Sequence, residues 1–468
     1  MELLQHYLSL ISSYVWGTWL IVLLTGTGII LSFRLRLIQM RRLTTGFRNV
    51  FSGSGKKTPD DEDLLGEEDE EHRGDVTPFQ SLMTALAATI GTGNIVGATT
   101  AIVAGGPGAM FWMWMAAFFG MATKYGEAIL AVRFRKTNAN GNFSGGPMYY
   151  IRYGMDNKWL AVFFAACGSI TAFGTGCMVQ SNAISSALES TFSVEPSTTG
   201  IILTILTAAV VLGGIKNISK VASLLVPGMA GLYILGAITI LVMNYNLIPD
   251  AFMTIINDAF TGNAVAGGAV GTVIRYGIAR GIFSNEAGLG TAPIVAAAAK
   301  TDMPGRQALV SMLGTFIDTL IVCTMTGLVV VMSGLWDTGV NGAALTSHAF
   351  EGFLPGIGAY VVTIGLVLFA FSTIVGWCYY GEKCFEYLFG TRPVKLYRSV
   401  FTAFVFIGAV TSLDIVWTLA DITNGLMAAP NLIALIALSG VIVKESKRFD
   451  DKLDEEENAR IAFNKLDK

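Results

Sequence analysis

The chain has 468 residues, of which 53% are hydrophobic and only 14% charged, and its mean hydropathy is +0.57. Soluble globular proteins carry about 25% charged residues, so the composition excludes a soluble enzyme and points to a polytopic membrane protein. A formal net charge of −3 lacks the basic footprint of a nucleic-acid binder, and five cysteines without CxxC spacing and three histidines give no disulfide framework, zinc site or histidine-based centre.

A bilayer core takes about 20 apolar residues per helix. On that measure the sequence predicts eleven spans, at 12–33, 80–105, 109–132, 159–188, 198–214, 221–243, 265–297, 308–333, 359–385, 396–412 and 416–443. The last two are the least regular, because Asp421, Asn424 and Pro430 interrupt the pattern. The first stretch is too long for a secretory signal and lacks a basic segment before it, so it reads as a span. With the N-terminus outside and the C-terminus cytoplasmic, 28 of the 31 Lys and Arg residues fall in inner loops or, for Lys383 and Arg398, at the inner ends of spans; Lys124, Arg275 and Arg280 lie deeper within spans. A wrong span count would scramble that alternation. Residues 54–75 form an acidic cytoplasmic loop and 444–468 a charged tail with a short helix, both read as solvated segments.

Two spans differ from the rest. The second carries Thr89-Ile90-Gly91-Thr92-Gly93-Asn94, and the seventh Arg280-Gly281-Ile282-Phe283-Ser284-Asn285-Glu286-Ala287-Gly288-Leu289-Gly290. Glycine disfavours helix by about 1 kcal/mol relative to alanine. Irregular backbone survives at membrane depth only where protein or a cavity surrounds it. The two interruptions stand five spans apart and so run in opposite directions, the plan of a transporter with inverted repeats. A half-helix N-terminus there suits a carboxylate, and freed carbonyls suit a cation. The bland reading is close helix packing.

At these residues the chain resembles a known family. The strings TALAATIGTGNIVGATTAIVAGGPGAMFWMW (84–114), GGPMYYI (145–151), FSNEAGLGTAPI (283–294) and ADITNGLMAAPNLIAL (420–435) are similar to the alanine or glycine:cation symporters of the amino acid–polyamine–organocation superfamily. The resemblance implies an all-α, leucine-transporter-type five-plus-five fold with one extra N-terminal helix. It divides the chain into the extra helix with a basic segment (1–53), the acidic loop (54–79), a first repeat (80–243), a second repeat (244–443) and the tail (444–468). It further implies import of alanine or glycine with Na⁺ across a prokaryotic cell membrane, no enzymatic cofactor, and lipid as the surrounding partner. The acidic run at 59–75 departs from the family pattern and touches none of its motifs.

Site residues follow from the two interruptions and from the resemblance. Thr92, Gly93 and Asn94 are expected to take the substrate carboxylate through backbone N–H groups and the Asn94 amide. By resemblance, carbonyls at Phe283 and Ser284 take the α-ammonium, and the Phe283 ring covers the substrate. Gln180 in the fourth span is expected to bond the substrate or a neighbouring helix. Trp377 in the ninth walls the pocket or simply packs. For Na⁺, the hydroxyls of Ser372 and Thr373 and the carbonyl of Phe369 are expected to face the carbonyls of Ala87 and Ile90; the alternative is that the hydroxyls only bond back to their own helix. Charges inside spans are functional candidates. Lys124 and Glu127, one turn apart, are expected to pair as a structural or gating couple. Arg280 and Glu286 flank the second interruption as gate candidates, and Asp318 is an ion or proton carboxylate or a helix-to-helix bond. The alternative to Na⁺ symport is proton-coupled symport or uncoupled exchange. A channel filter and an enzyme's nucleophile, GxSxG or HExxH pattern are not found in the sequence.

Overall fold

A computed structural model describes residues 2–51, 74–260, 270–411 and 414–466. Within them the regular structure is helical apart from one two-stranded hairpin, where Lys136–Thr137 pairs antiparallel with Phe143–Ser144. Most of the acidic loop lies outside the described residues. A helix stands at each of the eleven expected positions. Among the described residues, six are long and apolar enough to cross a bilayer alone, and the bent pair at the second position counts as a seventh when taken as one span.

Local chemistry explains the boundaries. The second span starts on a capping box, in which Thr77 Oγ1 accepts from the Gln80 N–H at 3.2 Å and Gln80 Oε1 accepts from the Thr77 N–H at 3.0 Å, with Pro78 in the first turn. Asn157 caps the fourth span. Despite Asp421, Asn424 and Pro430, the eleventh is one 24-residue helix, Asp414–Ala437. Large apolar side chains such as Ile205, Leu224, Leu235 and Leu396 point outward, while Asn94, Glu127, Thr319 and Asp318 are buried. That is the inside-out polarity of a membrane bundle.

The second span is Pro78–Thr89 followed by Gly93–Gly105, bent by 54°. The seventh is Val270–Asn285 followed by Ala292–Ala296, and the linking residues Glu286, Gly288 and Gly290 have φ of +57°, +90° and +82°. Three spans contain π-helical turns: Gly93–Gly97 in the second, Gly174–Met178 in the fourth and Phe316–Cys323 in the eighth. At their feet the two interrupted spans are tied together, because the Asp75 and Val76 N–H groups bond to Ala298 O and the Lys300 N–H to Val76 O.

The tail is longer than expected, a helix over Ser439–Leu466. It docks under the bundle through Asp450 to Arg41 and Arg42, Glu456 to Arg306 and Lys452 to Asp302. Phe449 is buried, with the Arg306 guanidinium 5.7 Å from its ring centre. Burial alone would push the Asp302 carboxyl up, but the hydrogen bond and charge of Arg306, with Lys452, hold it below its ordinary range.

Candidate functional site

The first interruption gathers the groups expected to hold a cation. Ser372 Oγ lies 3.0 Å from Ala87 O, 3.5 Å from Ile90 O and 2.8 Å from Phe369 O. Thr373 Oγ1 lies 3.0 Å from Phe369 O and 3.5 Å from Ile90 O. The hydroxyls thus bond back to their own helix and also reach across to the second span. Two hydroxyls and three carbonyls share one buried spot, the neutral oxygen chemistry that a hard monovalent cation takes. Only glycine fits at position 91, since a Cβ there would collide with Thr373 Oγ1.

The N–H groups of Thr92 and Gly93 stand in the first turn of the second half-helix, where the helix itself offers no acceptor. Gln180 faces them from the fourth span: its Nε2 donates to Thr92 Oγ1 at 3.2 Å and to Thr175 O at 3.1 Å. Gln180 Oε1 and Thr175 Oγ1 are buried without partners. A buried acceptor left bare costs about 1–3 kcal/mol, so this pair is chemically suited to a ligand's donors. Ser284 closes the spot from the seventh span, where its Cα would stand 3.0 Å from a Cβ on Gly93.

Asn94 is placed differently from the direct ligand contact expected. Its Oδ1 accepts from the Gly91 N–H at 2.9 Å, and its Nδ2 donates to Asp318 Oδ1 at 2.8 Å and to Asp318 O at 3.1 Å. Asp318, expected as an ion or proton carboxylate or a helix-to-helix bond, also accepts from Ser284 Oγ and Thr319 Oγ1, each at 2.8 Å. One carboxylate therefore links the second, seventh and eighth spans at the π turns. A π turn frees carbonyls that an α-helix would consume, and such turns gather at functional sites.

The expected Lys124–Glu127 pair does not form. Lys124 Nζ is buried without a hydrogen-bond partner, while Glu127 Oε1 accepts from Asn431 Nδ2 at 2.6 Å and from the Gly290 N–H at 3.1 Å. The reason is competition: the second interruption leaves Gly290 N–H unpaired at membrane depth, and Glu127 is the acceptor in reach. Glu127, Glu286 and Asp318 are the carboxylates whose charge reaches Lys124. Glu286 accepts from Thr291 Oγ1 at 2.5 Å and from Trp377 Nε1 at 2.9 Å. Arg280 lies over the Phe283 ring at 5.8 Å. Sequence reading missed Thr175, Thr319 and Asn431; the last stands inside the string 420–435 that carried the resemblance, and the glycines at 174 and 176 flag the fourth span's π turn.

Comparison with known proteins agrees with this architecture. A model of the sodium:alanine symporter family matches residues 1–463. The sodium/alanine symporter AgcS of Methanococcus maripaludis is 52% identical over 458 residues, covering 96% of this chain and 98% of that one. The probable sodium/glutamine symporter GlnT of Bacillus subtilis is 35% identical, covering 96% and 91%. Among solved structures, MhsT in complex with L-phenylalanine aligns with a TM-score of 0.59 at 16% identity, over 80% of this chain and 93% of that one. At that identity the likeness speaks for the fold alone, which is the leucine-transporter-type five-plus-five arrangement with an extra N-terminal helix.

Proposed function

The chain belongs to the sodium:alanine symporter family, and from that premise we propose that it imports alanine or glycine with Na⁺ around a midplane site between the two interrupted spans. The observation that carries this reading is the meeting of Ala87, Ile90 and Phe369 carbonyls with the Ser372 and Thr373 hydroxyls, beside the first-turn N–H groups of Thr92 and Gly93.

In this proposal Na⁺ takes those five oxygens and draws the second span against the ninth. That sets the angle of the first interruption, so the Thr92 and Gly93 N–H groups are aimed when the substrate carboxylate arrives. Asn94 acts by holding Gly91 and Asp318 in place. The α-ammonium meets the free Gln180 Oε1 and carbonyls at Phe283 and Ser284; the Phe283 ring covers the substrate and Trp377 limits its size. Ion and substrate share one stretch of backbone, so each raises the affinity of the other. The repeats at 80–243 and 244–443 rock against each other, with the N-terminus outside, the C-terminus in the cytoplasm and the prokaryotic cell membrane as the setting.

A second reading, proton-coupled symport or uncoupled exchange, draws on the buried carboxylates Glu127, Glu286 and Asp318 around Lys124. Uptake of labelled alanine into proteoliposomes separates the two. Accumulation that follows an inward Na⁺ gradient, with glycine competing, is the expected result. Accumulation driven by a pH gradient with choline replacing Na⁺ would move the coupling to the carboxylates.

A further inference from the structure

Glu286 occupies a backbone position that its side chain does not favour. Its φ is +57°, the left-handed region where glycine or asparagine costs least, and two glycines follow at Gly288 and Gly290. A bulky residue persists in such a place where its surroundings over-determine it, and the strain flags a function for the side chain. Here the carboxylate is buried, with 4% of the residue exposed, and both its oxygens are engaged. Oε2 accepts from Thr291 Oγ1 at 2.5 Å within the same interruption, and Oε1 reaches the ninth span to accept from Trp377 Nε1 at 2.9 Å.

Trp377 is held at both ends. Its Cβ and Cγ lie against Gly176 of the fourth span's π turn, where a Cβ on residue 176 would collide with them. Its ring meets Tyr380 edge to face, with centroids 5.8 Å apart. The indole therefore bridges from the fourth span, one turn from Gln180, to the seventh at the residue two beyond Ser284. An indole has one donor and no acceptor, so a single acceptor decides which way the ring lies. A charged acceptor binds it more firmly than a neutral one.

We propose that Glu286 is a positioning residue that fixes the Trp377 indole and thereby sets the upper size of the amino-acid side chain the site accepts. The proposal rests on the reading that Trp377 walls the substrate site. A pocket wall rejects an extra methylene only while it cannot turn aside, and such rejection is worth about 10- to 200-fold. Freed from Glu286, the ring turns and the extra methylene fits.

The test is competition by alanine, 2-aminobutyrate and valine for Na⁺-driven alanine uptake in proteoliposomes, with KM and kcat measured for each. In Glu286→Ala the preference for alanine over 2-aminobutyrate is expected to fall about tenfold through the KM of the larger substrate. Glu286→Gln, which keeps the acceptor oxygen, restores it. Trp377→Ala relaxes selectivity at least as far, and Glu286→Ala adds nothing in the Trp377→Ala background. If Trp377→Ala relaxes selectivity and Glu286→Ala does not, the positioning role is overturned while the pocket reading stands. If neither relaxes it, the pocket reading fails and the proposal falls with it. Should Glu286→Ala not fold, Trp377→Phe serves instead: it keeps a ring but removes the N–H, and wild-type selectivity in that variant would overturn the proposal.

Discussion

The two interruptions look alike in sequence and are built oppositely. The first is short, and its polar groups are left available: first-turn N–H groups at Thr92 and Gly93, an unpartnered Gln180 Oε1, and carbonyls shared with two hydroxyls. The second is longer and its backbone is fastened, although Glu127 Oε2 and Lys124 Nζ beside it are buried without partners. Asn431 Nδ2 bonds to Gly288 O at 2.9 Å and to Glu127, Glu127 accepts from Gly290 N–H, and Tyr150 OH donates to Asn431 Oδ1. Open groups can change partners when a ligand arrives, whereas satisfied ones give a fixed wall. On this comparison the first interruption adapts and the second resists, and substitutions at the two should separate into ligand effects and stability effects.

The largest effect belongs to the fastened side. Glu127→Ala removes the acceptor of Gly290 N–H and one partner of Asn431, leaving buried donors bare at about 1–3 kcal/mol each. Thermal unfolding in detergent is expected to drop by several degrees with or without Na⁺ and alanine. An unchanged melting temperature would show that the wall is held elsewhere.

On the open side the effect is on ligands. Ser372→Ala with Thr373→Ala removes two of the five oxygens, and Na⁺ affinity is expected to fall about 100-fold, on the order of 2.7 kcal/mol. The melting temperature without Na⁺ should stay near wild type while the Na⁺-induced rise disappears. A full Na⁺-induced rise in the double variant would place the ion at another site. Asn94→Ala is expected to abolish alanine binding in folded protein, because Gly91 and Asp318 lose their common tie. Retained alanine affinity in calorimetry would remove Asn94 from the site.

Much of this contrast was hidden in the sequence. The spans and both interruptions were legible, because glycines and small polar residues stand out against an apolar background, and so were the fold class and the hydroxyl pair. The partners were not. Glu127 reads as the mate of Lys124 at helical spacing, yet it turns to Gly290 and Asn431, 163 and 304 residues away. Asp318 finds Asn94 across 224 residues. The π turns in the fourth and eighth spans leave the hydrophobic pattern intact, so nothing in its periodicity marks them. Helical spacing proposes local pairs, and unsatisfied backbone at membrane depth overrules it.

The tail helix gives the smallest effect and sharpens the comparison from outside the membrane. Its ion pairs sit at the rim; exposed pairs of this kind are worth about 0–1 kcal/mol each. Asp302 is less exposed than most of them, with 10% of its side chain accessible, and it pairs with both Arg306 and Lys452. Its carboxyl titrates below its ordinary 3.8. The part of that lowering that comes from Lys452 belongs to docking: it stabilises the docked state above the carboxyl's ordinary value and is lost as pH falls through the folded one. Tail docking, read by a spin-label distance between the exposed residues 40 and 455, is therefore expected to hold at neutral pH and to loosen only below about pH 4. In Asp302→Asn the pH-dependent step should shrink, while Na⁺ affinity at neutral pH stays unchanged. A change in Na⁺ affinity would mean that the rim and the first interruption are coupled, and that the open side of the molecule extends to the cytoplasmic tail.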